Sequence, residues 1–122
     1  MDKRISEAEL EIMEALWREA PRTAADVADD VAAERGWSLQ TVKTMLARLQ
    51  DKQVVDHVKD GRRFLYSPLI ARSDYIRGES RRFVDRLFGG KISPLVAHLA
   101  ERDGLSDSDI DEIEKLIGEL KS

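Results

Sequence analysis

Three amphipathic helical patterns within the first 50 residues, two alternating strands around Asp60-Gly61, and a second helical stretch running to the end predict a mainly α fold with one small β-hairpin. That order of elements is a winged helix-turn-helix over residues 1–70, followed by a helical dimerisation region over residues 71–122. With 122 residues there is room for one compact domain and an appendage, and no room for a large multidomain enzyme.

Each element has a local cause. Ser6 and Glu9 form a capping box, with Ile5 and Leu10 placed as a hydrophobic staple. Leu10, Met13, Leu16 and Trp17 then keep a helical stripe until Glu19-Ala20-Pro21 breaks it. Thr23 caps the second helix, which carries Val27 and Val31 on one face and stops at Gly36. Ser38 caps the third, with Trp37 and Val42 able to staple and Val42, Met45, Leu46 and Leu49 on one side. After Asp51-Lys52-Gln53 the period changes from 3.6 to 2. Val54–Val58 and Arg62–Tyr66 read as strands, and Asp60-Gly61 as the two central residues of a tight turn, ended by Pro68. In the second half, Ser73 caps a helix through Tyr75, Ile76, Phe83, Leu87 and Phe88 that Gly89-Gly90 stops. Ser93-Pro94 opens a short helix, with proline at its first position, that runs toward Gly104. Leu105, Ser106 and Asp109 repeat the staple and capping box before a stripe of Ile110, Ile113, Leu116, Ile117 and Leu120.

Charge is segregated along the chain. The net charge is −4, yet residues 1–35 sum to −5, residues 36–63 to +3, residues 71–91 to +3 and residues 92–122 to −5. Two basic blocks between acidic ends point to a localised anionic partner, or to a merely solvated basic face. The absence of cysteine removes disulfides, thiolate metal sites and cysteine nucleophiles, and fits a reducing, cytoplasmic setting. No apolar run exceeds three residues, far below the roughly 20 a membrane helix needs, so no membrane insertion is expected. The polar start, Met1-Asp2-Lys3-Arg4-Ile5-Ser6, predicts no signal peptide.

With Val42 at the centre of the buried side of the third helix, Met45, Leu46 and Leu49 fall within about 60° of it. Gln40, Thr44 and Ala47 fall opposite, flanked by Lys43 and Arg48. A helix laid in the DNA major groove needs such a face: Gln, Lys and Arg reach base edges, Thr presents a hydroxyl and a methyl, and a small Ala permits close approach. Ser38, Thr41 and Lys52 are candidate phosphate contacts at the helix margins, and Lys59, Arg62 and Arg63 at the hairpin tip are candidate wing contacts. The competing reading is a winged helix that serves as a protein-interaction module, its Lys43 and Arg48 only solvating the surface.

Catalysis and cofactors find little support. His57 on a strand and His98 on a short helix lack a serine or carboxylate at motif spacing and read as ordinary residues. Gly89-Gly90 follows a helix instead of a strand, so it is a helix stop and not a phosphate loop. Asp103, Asp107, Asp109 and Asp111 lack the glycine kink and closing Glu of a calcium loop and read as a solvated helix start. No enzyme activity, cofactor or metal is expected. Phe83, Leu87, Phe88, Leu95, Leu99, Ile113, Leu116, Ile117 and Leu120 exceed what three short helices can bury, which predicts a homodimer across the C-terminal helices. The alternative is a monomer whose helices fold back on the winged helix.

These residues also resemble a known family. Ser6–Met13, Trp17, the run Thr41-Val42-Lys43-Thr44-Met45-Leu46-Ala47-Arg48-Leu49, Arg63-Phe64-Leu65-Tyr66-Ser67-Pro68, Phe83–Gly90 and Leu105-Ser106 are similar to the penicillinase-repressor family, which includes methicillin-resistance and copper-responsive repressors. The resemblance implies a homodimeric winged-helix repressor of transcription acting at palindromic operators in double-stranded DNA. In antibiotic-responsive members a membrane-bound sensor protease signals a β-lactam, and the repressor is cut in its dimerisation region at an Asn-Phe bond. The matching bond here is His98-Leu99, a departure that does not carry the same cleavage specificity over. The cysteine motif of copper-responsive members is missing. A small ligand held between the dimer helices ranks below proteolytic release, because no convergent polar residues stand out there.

Overall fold

The computed structural model describes residues 4–122, apart from the side chains of Ala33, Glu34 and Asp103. Met1, Asp2 and Lys3 of the polar start, and the Asp103 side chain of the acidic cluster, therefore lie outside the described residues. The order is α1 (Glu7–Arg18), α2 (Ala24–Arg35), α3 (Leu39–Asp51), β1 (Val55–Asp60), β2 (Arg63–Pro68), α4 (Arg72–Phe88), α5 (Ile92–Ala100), a 3-10 turn (Glu101–Asp103) and α6 (Asp107–Lys121). The predicted mainly α fold with one hairpin is the observed one. The chain divides into two compact units, one ending at Tyr75 and the other spanning Ile76–Ser122.

In the first unit the caps form as their residues dictate. Ser6 and Glu9 close a reciprocal capping box, and Thr23 and Ser38 accept from the backbone N–H groups of Asp26 and Thr41. Gly36 ends α2 at φ +64°, a left-handed conformation that costs glycine nothing. Ile12, Met13 and Leu16 of α1, Val27 and Val31 of α2, Val42, Met45, Leu46 and Leu49 of α3, and Val55 of β1 make one buried core. Trp17, Trp37, Tyr66 and Ile70 pack at its edge.

The hairpin turns one residue later than the sequence predicts. Asp60 pairs with Arg63, so the two central turn residues are Gly61 and Arg62, and Asp60 belongs to β1. Gly61 takes φ +64°, while Arg62 is not among the positive-φ residues. A turn with positive φ at its first central position alone needs only one glycine, and this register puts Gly61 there and Arg62 at the tip. A further contact is absent from the sequence reading: Arg22 forms a bridge with Tyr66, donating at 3.0 Å and accepting at 2.8 Å, so the segment between α1 and α2 edges the hairpin.

Two helix starts also differ. The α4 helix begins at Arg72, with Tyr75 N–H donating to Ala71 O, so Ser73 lies inside its first turn. Tertiary contacts set that start: Trp17 Nε1–H donates to Ile70 O at 2.9 Å and Arg72 Nε–H to Glu14 Oε1 at 2.7 Å. The α5 helix begins at Ile92, which puts Pro94 third; any first-turn position lacks an N–H acceptor, so the ring is accommodated. The helix ends at Ala100, and the 3-10 turn covers the gap to Gly104.

In the second unit Gly89 and Gly90 end α4 at positive φ, and Ser106 and Asp109 close the capping box of α6. Val84 is the sole buried apolar side chain among its described residues.

The first unit's core makes a direct prediction. Leu46 is fully buried between the helices, so Leu46→Ala is expected to destabilise this unit by about 2–5 kcal/mol, read as a lower urea midpoint.

Candidate nucleic-acid interface

The four buried residues of α3 leave its other side facing solvent, where Gln40, Lys43, Thr44, Ala47 and Arg48 are all exposed and Thr41 is half-buried. Ser38 Oγ accepts from Thr41 N–H at 3.1 Å and lies 3.1 Å from Thr41 Oγ1, so both hydroxyls take part in the cap. Thr44 donates its hydroxyl proton to Gln40 O at 3.0 Å. The residue is exposed and its hydroxyl oxygen keeps its lone pairs, which suits it to accept from a base amino group. Among the described residues, Lys43, Arg48, Lys59 and Arg62 have no ion-pair partner. Their charge is available to a ligand.

The wing is tied to α3 at its root. Val54 N–H donates to Leu49 O at 3.1 Å, and His57 Nδ1 lies 2.9 Å from Gln50 Oε1. The His57 ring also packs on Phe64 and Tyr66, at 4.4 and 5.4 Å between centroids. This histidine is a strut between strand and helix. Arg62 occupies the exposed tip, and Arg63 donates to Asp60 Oδ2 through Nε (3.1 Å) and a terminal nitrogen (2.9 Å). Between the first turn of α3 and the wing lies a cleft of about 270 Å³ lined by Thr23, Leu39, Lys43, Arg62, Phe64 and Tyr66 among others.

The structure thus brings Lys43, Arg62 and Arg63 to one cleft, whereas Arg48 lines a separate depression with Ser6, Glu9, Thr41 and Thr44. The penicillinase repressor family profile matches residues 5–119. The chain belongs to the penicillinase repressor family. It is 36% identical over 118 residues to the penicillinase repressor of Bacillus licheniformis, an alignment covering 97% of this chain and 92% of the relative. It is 30% identical over 113 residues to the methicillin resistance regulatory protein MecI of Mammaliicoccus sciuri, covering 93% and 92%. Among solved structures it is similar to the monomeric form of Bacillus licheniformis BlaI in complex with the blaP half-operator, with TM-score 0.52 and 41% identity over 60% of this chain and 89% of that one. The three helices and hairpin of this family member are a winged helix.

In this member of the family Lys52 has a structural partner. Its Nζ donates to Glu9 Oε1 at 2.5 Å and to Arg4 O at 2.7 Å, joining the end of α3 to the start of α1. Glu9 is buried, at 2% exposure, and also accepts from Ser6 N–H. Burial alone would raise its carboxyl, but the hydrogen bonds from Lys52 and Ser6 outweigh it and hold the group below the usual glutamate range. A second network escaped sequence reasoning. Arg22 donates to Ala15 O, Glu19 O and Asp30 Oδ2, and Arg18 also reaches Asp30, whose carboxyl these hydrogen bonds lower. Neither spacing nor composition marks Arg22, because its partners are gathered by the path of the chain between α1 and α2.

Of the other residues singled out earlier, His98 packs its ring 5.7 Å from Phe88 in the second unit. Among the described residues no group of three His, Asp or Glu is placed to hold a metal ion, and no helix is long and apolar enough to cross a membrane.

The two basic positions therefore separate in experiment. Lys52→Ala strands a buried carboxylate and is expected to cost about 1–3 kcal/mol of stability. Arg62→Ala, at an exposed tip, should stay within about 0.5 kcal/mol of wild type by the same urea titration. Because folding lowers the pKa of Glu9, its contribution is present above the ordinary glutamate range and is lost as pH falls through the lowered value. Acid titration of the urea midpoint should accordingly show a smaller loss in Glu9→Gln than in wild type.

Proposed function

We propose that this chain is a sequence-specific transcriptional repressor that binds double-stranded DNA at palindromic operators as a homodimer. The observation that carries the reading is the outward face of α3, where Lys43 and Arg48, unpaired among the described residues, flank Gln40, Thr44 and the small Ala47. In this reading α3 enters the major groove, with Gln40, Lys43, Thr44 and Arg48 toward base edges and Ser38 and Thr41 toward phosphate at the helix start. Lys59 and Arg62 hold the flanking backbone from the wing. Arg63 stands beside them, and Lys52 acts chiefly through Glu9. The complex of the related BlaI with a half-operator supports the same docking for this chain.

The second unit supports the dimer. Phe83, Leu87, Leu99, Leu116, Ile117 and Leu120 are each more than 40% exposed, and Phe88, Leu95 and Ile113 are half-buried. Surfaces of that kind are stable when a second copy covers them, and a two-fold dimer sets two recognition helices about 34–36 Å apart on successive major grooves. The penicillin and methicillin systems of its relatives support an antibiotic-responsive regulator. Release would come from cleavage by a membrane-bound sensor protease within the helical unit. Exposed His98 and Leu99 on α5 offer the bond. Such a protein works in the cytoplasm and needs neither cofactor nor catalytic group.

The test is a salt titration of binding to a palindromic duplex from the upstream region of its own gene, against a scrambled duplex, with particle mass measured in the same buffer. Preference for the palindrome by a dimer, with log affinity falling steeply with log salt, is the expected result. Equal, salt-insensitive binding to both would overturn it in favour of a protein-interaction module. Lys43→Ala and Arg48→Ala are each expected to weaken operator binding by about 1–3 kcal/mol. Arg62→Ala should weaken all sequences alike and reduce the salt slope by about one.

A further inference from the structure

The cleft between the first turn of α3 and the wing is built for something that its charged neighbours do not explain. Leu39 is the first residue of α3, 41% exposed, one turn before Lys43 at the edge of the buried side of the helix. Phe64, 44% exposed, faces it from β2, where it pairs with Lys59 across the hairpin. Two large apolar walls are therefore held open to solvent under a rim of Lys43, Arg62 and Arg63. An inorganic anion would need the rim and not the walls, and an apolar peptide would need the walls and not the cations Lys43 and Arg62. A thymidine nucleotide in duplex DNA combines both needs, because its C5-methyl is the one apolar group on a major-groove base edge and its phosphates flank it.

We propose that Leu39 and Phe64 form a thymine-methyl pocket that reads one T·A pair at the wing side of each half-site, a specificity determinant additional to the polar face of α3. The proposal rests on the DNA-binding reading above. Arg62 neutralises a phosphate beside the nucleotide, Lys43 reaches the adjoining base edge, and the methyl leaves water between the two apolar side chains. Recognition at that pair is by apolar burial, so it tolerates salt, unlike the cationic contacts around it.

The experiment uses the full chain and a palindromic duplex enriched from a random pool with the wild-type protein, each thymine then being replaced in turn by deoxyuridine, which removes only the methyl. At one thymine per half-site the replacement should weaken wild-type binding about fourfold, the effect of withdrawing one methyl from a buried site. Leu39→Ala should abolish that difference while keeping preference for the palindrome over a scrambled duplex. Leu39→Gln, which retains bulk without an apolar wall, should do the same. Lys43→Ala should bind more weakly yet keep the thymine-to-deoxyuridine ratio. The proposal is overturned if no thymine is sensitive, or if the sensitive one remains so in both Leu39 variants, which would assign the methyl to Thr44 or Ala47 and the cleft to a protein partner. Failure to enrich any sequence would instead overturn the repressor reading itself, and it would be seen before deoxyuridine is introduced.

Discussion

Burial of one side of α3 is the constraint on which the rest of the first unit depends. Val42, Met45, Leu46 and Leu49 are nearly or fully withdrawn from water against α1, α2 and β1. Each such side chain contributes about 1.5–3 kcal/mol relative to exposure, so the rotation of α3 about its axis is strongly determined. With 3.6 residues per turn, a slip of one position turns the helix by about 100°, which would carry Lys43 toward the core and Met45 toward solvent. The outward set of Gln40, Lys43, Thr44, Ala47 and Arg48 is thus a consequence of the inward set. Chemistry and packing are written into the same 13 residues.

The wing inherits its position from that helix. The Leu49 carbonyl accepts from Val54 N–H at the root of the wing, Val55 continues the core, and His57 braces the strand against Gln50. Acidic residues of the flanking helices meanwhile are taken up within the scaffold: Glu9 by Lys52, Glu11 by Arg35, Glu14 by Arg72 and Asp30 by Arg18 and Arg22. Surface pairs of this kind add little energy singly. Their larger effect is to engage these carboxylates with other cations, so that Lys43, Arg48, Lys59 and Arg62 are without an ion-pair partner among the described residues. A chain of net negative charge can in this way present a local cationic face.

The two units differ in how complete they are. The first closes a core from three helices and a strand, whereas the second buries only Val84 among its described apolar residues and leaves Leu87, Ile92, Leu99, Ile110, Leu116, Ile117 and Leu120 more than 40% exposed. A short helix has too little surface to cover its own apolar stripe, and three of them together leave much of it in water. The proposed homodimer is the reading that would cover that surplus.

The sequence by itself determined the features that depend on neighbours a few positions apart. The caps at Ser6, Thr23, Ser38 and Ser106, the stop at Gly36, the stripe of α3 and the existence of the hairpin follow from local hydrogen bonding and periodicity. Tertiary structure alone decided features that depend on distant partners. That Lys52, a candidate phosphate contact, also holds Glu9, 43 residues away, is visible only in the fold. The start of α4 reads as a serine cap until Trp17 and Glu14 take hold of Ile70 and Arg72. The hairpin turns at Gly61-Arg62 because its pairing and the bridge to Arg22 fix the register, and Leu39 and Phe64 come to line one cleft only once the wing has formed beside α3. A pattern in sequence can specify which way a side chain points along its own element, but its partner across space exists only after chain segments with no local signal for one another have packed.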